Sequence, residues 1–167
     1  QSLAHNSTMD SRLRVLNDEV LRVSGGKYQM TLTAFTIDTF TGEFEIHSAG
    51  GLPVMKHEQA NAKANSLPCR GTPLGTEELV IGNLKGQLNP GSRVIVFTDG
   101  IPEIDMPNGR QIGMRRFASL FADSHADAVP LATRKIVQTA EKYLEDRPQD
   151  DDWTFVILDW QGPETRI

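Results

Sequence analysis

Two aspartate signals in the last third of the chain have the residue types that metal chemistry requires. The first is a Thr-Asp-Gly segment at 98–100, directly after the apolar residues 94–97. The second is a run of three aspartates at 150–152, directly before the apolar residues 153–158. Clustered carboxylates repel one another unless a cation lies between them, and hard oxygen ligands favour Mg²⁺, Mn²⁺ or Ca²⁺. The two signals therefore predict a divalent-metal site.

Two short strands must position these aspartates. Residues 94–97 and 153–158 are rich in β-branched and aromatic side chains, which is typical of buried strands. One aspartate then follows the end of a strand, and the other precedes the start of a strand. If the two strands lie antiparallel and adjacent, those ends meet and the carboxylates converge. We therefore expect a metal site built on a sheet.

The rest of the pattern predicts an α+β fold in a single domain, residues 1–167. Helices are predicted over 11–23, over 112–121, and from near 130 to about 145. Strands are predicted over 30–38, 43–48, 53–57, 77–82, 93–98 and 153–158. Residues 58–66 are polar and are predicted to form a surface loop. This order favours a largely antiparallel sheet with helices packed against it.

The composition excludes several classes of protein. A net charge of −5 argues against a nucleic-acid binder, because it does not offset phosphate repulsion. No apolar stretch approaches the roughly 20 residues of a membrane span, and the polar first ten residues do not read as a signal peptide. The single cysteine, Cys69, is compatible with a reducing compartment, so we expect a cytoplasmic location.

Six short motifs occur in an order that resembles the SpoIIE-type (RsbU-like) branch of the PPM, or type 2C, protein phosphatases. They are Asp38-Thr39-Phe40-Thr41-Gly42, Ser48-Ala49-Gly50, Pro73-Leu74-Gly75, Asn89-Pro90-Gly91, Thr98-Asp99-Gly100 and Asp151-Asp152-Trp153-Thr154. The resemblance covers about residues 13–158. It implies an α-β-β-α sandwich with a two-metal site at one edge of the central sheets. It also implies a bacterial, metal-dependent serine/threonine phosphatase.

The resemblance assigns metal ligands to the two aspartate signals. The aspartate of the Thr-Asp-Gly motif is Asp99, and the first aspartate of the Asp-Asp-x-Thr motif is Asp151. Two Mn²⁺ or Mg²⁺ ions would hold a bridging water that attacks phosphorus directly, so no side chain is assigned as catalytic. Gly100 and Asp152 are candidates to contact the metal ligands without binding the metal themselves. A plain charge at the strand edge is the alternative for Asp152.

The sequence departs from the family pattern near its start. Family members carry a Gly-Asp motif and an Asp-x-x-Gly-His-type motif before the first helix, and these supply the carboxylate that bridges both metals. Nothing before Ser11 matches them. We therefore expect this chain to correspond to the family without its first strands, and to be inactive by itself. Asp99 and Asp151 with water would hold one ion weakly.

The resemblance also suggests partners. The substrate would be a phosphoprotein similar to an anti-sigma-factor antagonist, under the control of an upstream sensory or receiver domain. A homodimer is compatible with the sequence. The alternative function is a pseudophosphatase that binds a partner without chemistry. Plainer interpretations of the two signals also stay open. Asp-Gly is a common turn dipeptide, and 150–152 taken in isolation is typical of a solvated acidic loop, although its position before a buried strand favours the metal site.

Overall fold

The computed structural model describes residues 8–59, 61 and 63–163. Its elements in chain order are α1 (Met9–Ser24), β1 (Leu32–Ile37), β2 (Glu43–Ala49), β3 (Val54–His57), β4 (Asn65–Leu67), β5 (Gly82–Gln87), β6 (Ser92–Phe97), α2 (Gly113–Asp123), α3 (Val129–Leu144) and β7 (Phe155–Trp160). The chain divides into two compact units. The first comprises residues 1–38, 43–53 and 68–87, and the second comprises 39–42, 54–67 and 88–167.

Local capping chemistry sets the ends of α1 in the first unit. The Thr8 side chain accepts a hydrogen bond from the Ser11 backbone N–H at 3.2 Å, which satisfies one of the free donors of the first turn. The helix ends at Gly25, whose φ of 57° is the left-handed conformation that glycine adopts without a steric penalty. The predicted helix over 11–23 is confirmed, with an extension at each end.

The first unit contains a three-stranded antiparallel sheet in the order β1-β2-β5. The predicted strands over 30–38 and 43–48 are confirmed as the hairpin β1-β2, and the Asp38 backbone N–H closes its turn on the Glu43 carbonyl at 2.8 Å. Phe44 and Ile46 of β2 are buried. They lie two residues apart and so share one face of the strand, which makes that face the apolar side of this sheet.

The prediction of a strand over 77–82 was wrong. The strand is Gly82–Gln87, which pairs with β2, whereas residues 78–80 form a loop closed by Thr72. Thr72 donates its backbone N–H to the Val80 carbonyl at 2.8 Å, and its hydroxyl accepts the Val80 N–H at 2.9 Å. The apolar residues 79–81 resemble a strand, but cross-strand packing selected the polar segment after them. A side chain at Gly86 would clash with Phe44.

The second unit contains a four-stranded antiparallel sheet in the order β4-β3-β6-β7. Its short edge strand β4 lies in the stretch predicted as a surface loop, where the polar sequence carries no strand signal. The helices α2 and α3 bury Phe117 and Phe121 of α2 and Ile136 of α3. The Phe117 ring lies 4.5 Å from the Phe97 ring, centroid to centroid, at the end of β6.

One buried arginine joins three segments of this second unit. Arg93 on β6 is 1% exposed and forms a two-pronged ion pair with Asp159 on β7, at 2.6 and 2.7 Å. The same guanidinium donates to the Ser124 carbonyl at 2.5 Å and to the Asp127 carbonyl at 2.7 Å. These bonds attach the connection between α2 and α3 to the sheet.

The expected α+β class with largely antiparallel sheets is confirmed, because all pairings between the named strands are antiparallel. The single domain over 1–167 stays a prediction. In the described part of the chain, no helix has both the length and the apolar character that a membrane span needs.

Candidate metal centre

The two strand ends that carry the aspartate signals lie side by side. Strands β6 and β7 are antiparallel neighbours with Phe97 opposite Phe155. The ladder continues one step further, because the Thr98 backbone N–H donates to the Thr154 carbonyl at 2.9 Å. The chain therefore leaves β6 toward Asp99 at the same edge of the sheet where it enters β7 from the acidic run at 150–152.

The Thr98 hydroxyl joins the two segments beyond the last ladder bond. Its Oγ1 lies 3.2 Å from the Asp152 carbonyl oxygen and 3.3 Å from the Thr154 carbonyl oxygen, with one proton to donate. It also accepts the Thr154 backbone N–H at 3.2 Å. This side chain therefore binds the backbone immediately before β7.

Gly100 allows the two segments to approach closely. The residue is buried, and a Cβ atom built on it would lie 2.4 Å from the Asp152 carbonyl oxygen and 3.1 Å from Cδ1 of Trp153. Real Cβ atoms essentially never approach backbone so closely. Only glycine fits at this position of the Thr-Asp-Gly motif, because any side chain would overlap the backbone of the neighbouring segment.

The three predicted acidic residues are exposed. The carbonyl of Asp99 accepts the Glu103 backbone N–H at 2.8 Å, which begins a turn after β6. Oδ1 of Asp151 accepts the Asp152 backbone N–H at 2.7 Å, and the Asp151 carbonyl accepts from the Gln149 side chain at 2.7 Å. The structure thus places Asp99 and Asp151 on adjoining segments and orders the backbone around each.

A small cavity of about 110 Å³ opens between these segments. Gly100 and Arg147 are among its lining residues, whereas Asp99 is not. Its acidic lining comes from Glu103, Asp105, Asp150 and Asp151. Sequence reasoning missed Glu103, Asp105 and Arg147. Glu103 follows Asp99 by four residues, a weak local signal, but Asp105 and Arg147 reach the cavity only through the tertiary fold.

The donor set suits part of a metal site. Carboxylate oxygens are the ligands that Mg²⁺ and Mn²⁺ prefer, and Asp99 and Asp151 lie on adjoining backbone segments at one sheet edge. Among the residues that the structure describes, no three or more His, Cys, Asp or Glu side chains are grouped so that they could hold a metal ion. The described residues therefore fit as a partial donor set.

Two histidines, His57 and His125, lie in contact elsewhere in the second unit. The His57 and His125 rings are 4.3 Å apart, centroid to centroid, although the sequence spacing indicated no such pairing. Burial lowers the pKa of His57 below its ordinary value of 6.5, and His125 and Arg93 lower this pKa further by charge repulsion. His5 lies outside the described residues. The pair is part of the packing of this unit.

Comparison with known proteins identifies the family. The family model described as Stage II sporulation protein E (SpoIIE) matches residues 1–161. A comparison with curated protein sequences found no match.

Several solved structures are similar to this chain. The RsbU and RsbW domains of Rv1364c from Mycobacterium tuberculosis have a TM-score of 0.73 and 25% identity, over 97% of this chain and 44% of that chain. The SiaA-PP2C domain of Pseudomonas aeruginosa has a TM-score of 0.67 and 17% identity, over 93% and 72%. The SpoIIE phosphatase domain of Bacillus subtilis, presoaked with manganese, has a TM-score of 0.64 and 14% identity, over 99% and 80%.

These likenesses agree with the observed architecture. The chain spans less than half of the Rv1364c structure, and the two more distant structures share its fold. The family model covers nearly the whole chain, including both aspartate signals. The chain therefore belongs to the SpoIIE family, in the SpoIIE- and RsbU-type branch of the PPM phosphatases.

Proposed function

We propose that this chain is part of a metal-dependent protein serine/threonine phosphatase domain that removes phosphate from a phosphoprotein in bacterial signalling. One observation carries the proposal: in a chain of the SpoIIE family, Asp99 and Asp151 lie on adjoining segments at one edge of an antiparallel sheet. Two carboxylates in that position are suited to a divalent cation.

Asp99 and Asp151 would hold Mn²⁺ or Mg²⁺, two ions in the complete site. The bound metal would lower the pKa of a water molecule and neutralise charge on the phosphoryl oxygens. Thr98 and Gly100 hold the two acid-bearing segments together. Asp152 contributes through its carbonyl, which meets the Thr98 hydroxyl, while its carboxylate is exposed. The manganese-presoaked SpoIIE domain supports this choice of metal.

The partner is proposed from the kinds of protein that this chain resembles. The RsbU domain of Rv1364c is solved together with an RsbW domain, which supports a role in a signalling pathway of interacting proteins. We propose a phosphorylated protein similar to an anti-sigma-factor antagonist as substrate, an upstream sensory or receiver domain as regulator, and a cytoplasmic location. A homodimer is part of the same proposal.

The direct test is Mn²⁺-dependent hydrolysis of an aryl phosphate by the full-length natural protein and by its Asp99→Asn variant. We expect turnover that requires Mn²⁺ and that falls at least about 100-fold in the variant, because a metal supplies several kcal/mol of charge stabilisation. Asp146→Asn is the matched control, since Asp146 is exposed and precedes the acidic run by only a few residues. Its turnover should equal that of the wild type.

Two results would contradict the assignment. Wild-type turnover in Asp99→Asn would show that Asp99 is not a metal ligand. An equal loss in Asp99→Asn and Asp146→Asn would show a general effect of charge, because both changes remove one negative charge from the same unit.

A second candidate function is a pseudophosphatase that binds a partner without chemistry. The observation that favours it is that the described residues do not group three or more potential metal ligands. A folded full-length protein that binds a phosphoprotein partner, yet gives no turnover at millimolar Mn²⁺, would support this function over the enzyme.

A further inference from the structure

Arg147 forms an unusual set of hydrogen bonds for an exposed arginine. Its Nε donates to the Leu144 carbonyl at 3.1 Å, and its Nη2 donates to the Tyr143 carbonyl at 2.7 Å and to the Asp105 carbonyl. The first two bonds cap the end of α3, and the third reaches the loop that follows β6. One guanidinium therefore links two segments that are far apart in sequence.

The surroundings of Arg147 would favour ion pairs. It lines the small cavity beside Gly100 together with four carboxylates, and it is the only basic residue among the described residues that line it. Nevertheless, no carboxylate of the described chain lies within 4.0 Å of its guanidinium nitrogens. Its donors are directed to backbone carbonyls, which is the geometry of a brace between segments.

The segment after α3 needs such a brace. At the end of the helix Glu145 has φ 57° and ψ −131°, a conformation that non-glycine residues rarely adopt. Pro148 then removes one backbone donor from the short connection to the acidic run. Beyond Arg147, the next side-chain bond in the connection is from Gln149 to the Asp151 carbonyl, which is local.

We propose that Arg147 is a positioning residue for the metal site: by bonding the end of α3 to the Asp105 carbonyl, it holds the segment that carries Asp151 beside the segment that carries Asp99. This inference rests on the proposed function. It assigns a role to a residue that lies outside all six sequence motifs.

A positioning role and a purely electrostatic role predict opposite changes in Mn²⁺ affinity when Arg147 is replaced. If Arg147 acted only through its charge, replacing it with Gln would remove a repulsive cation from the cavity and Mn²⁺ would bind more tightly. If Arg147 positions the acidic segment, the same change weakens Mn²⁺ binding. Arg147→Lys separates the two further, because lysine keeps the charge but does not provide the planar fork of donors.

The experiment measures Mn²⁺ affinity by calorimetry and backbone hydrogen exchange over 149–154 in the metal-free protein. Both measurements use the full-length natural protein and its Arg147→Gln, Arg147→Lys and Arg134→Gln variants. Arg134 is an exposed arginine on α3 and is the matched control. We expect both Arg147 variants to exchange faster over 149–154 and to bind Mn²⁺ about tenfold more weakly, the size of effect typical of residues that orient metal ligands. The control should behave as wild type.

Several results would overturn the inference. Unchanged exchange in both Arg147 variants would show that Arg147 does not hold the segment. Tighter Mn²⁺ binding by Arg147→Gln, or wild-type affinity in Arg147→Lys, would show that Arg147 acts only through its positive charge. If the wild type itself bound no Mn²⁺, the proposed function would fail, while the exchange data would still decide whether Arg147 fixes the segment.

Discussion

Single residues at the candidate metal centre act through backbone contacts as much as through their charges. Asp99 and Asp151 supply the carboxylates, but the distance between their segments depends on Thr98 and Gly100. The Thr98 hydroxyl bonds to backbone of the opposite segment, and Gly100 leaves room for the Asp152 carbonyl. The Thr-Asp-Gly motif therefore combines one candidate metal ligand with two neighbours that set the position of its segment.

Gly100→Ala tests this at the scale of one methyl group. We expect a loss of about 1–3 kcal/mol in the free energy of unfolding, because the added Cβ would clash with backbone at Asp152. We also expect weaker Mn²⁺ binding, since the two segments must move apart. The measurements are urea unfolding and calorimetry.

Gly109→Ala is the control for that experiment. A Cβ at Gly109 would have no atom within 4 Å, although its φ of 73° makes alanine strained there. It should lose some stability and keep the Mn²⁺ affinity of the wild type. If both variants bound Mn²⁺ equally well, the close contact at Gly100 would not matter for the site.

At the scale of elements, strands β6 and β7 carry the candidate site at one end and, at the other, an ion pair between buried Arg93 and half-buried Asp159. Arg93 and Asp159 lie opposite each other near the start of β6, while Phe97 and Phe155 lie opposite each other beside the acidic segments. The Arg93 guanidinium also bonds two carbonyls of the connection from α2 to α3. The register of this pair therefore depends on a polar anchor as well as on apolar packing.

Arg93→Met tests the anchor. We expect a loss of about 1–3 kcal/mol in the free energy of unfolding, the usual cost of leaving buried acceptors without a donor. The loss is smaller than for a fully buried ion pair because the Asp159 side chain is 24% exposed. The Asp159 carboxylate and two carbonyls would lose their donor, while methionine keeps much of the apolar stem. Urea denaturation at neutral pH measures the change. Exposed Arg134→Met should stay within about 0.5 kcal/mol of wild type, and an equal effect of the two changes would exclude the anchor.

The two strands at the candidate metal centre were easier to predict from sequence than β5 of the first sheet. Strands β6 and β7 have continuous apolar residues and well-marked ends, so their existence and approximate bounds were predicted correctly. Strand β5 has alternating exposure but few apolar residues, so its signal was weaker than that of the apolar residues 79–81 before it. Its place was decided by pairing with β2 and by the space that Gly86 leaves for Phe44.

At the scale of the whole molecule, the chain carries a net charge of −5 at neutral pH. The protonation of one buried histidine is expected to affect the free energy of unfolding. His57 is 5% exposed and lies against His125 with Arg93 nearby, so its protonated form is disfavoured in the native state. Two smaller influences oppose this shift, because a hydrogen bond with the Asn61 backbone and the charge of Glu58 both raise the pKa of His57.

These contacts predict that stability decreases as the pH falls through the ordinary histidine value of 6.5. The pKa of His57 is lowered in the native state, so in this range the unfolded chain binds a proton that the native state does not. We expect His57→Gln to flatten the decrease between pH 6.5 and about 5. Urea unfolding at several pH values measures the slope.

Thr139→Val is the control for the pH series, because it changes a side chain on α3 without removing a titratable group. Its slope should match the wild type. An unchanged slope in His57→Gln would mean that another group is responsible. The carboxyl groups of Glu45 and Glu58 do not account for this window, since their pKa values are lowered from 4.5.

The sequence by itself determined the α+β class, the helices, the strands that flank the candidate metal centre, and the family motifs that contain Asp99 and Asp151. These features depend on periodicity, capping and turn residues, which are properties of near neighbours in the chain. Only the tertiary structure decided that Asp105 and Arg147 meet at the same cavity, that Gly100 touches the Asp152 carbonyl, and that β5 begins at Gly82. Those contacts join residues that are distant in sequence, and they follow from strand register and chain path, which local patterns do not encode.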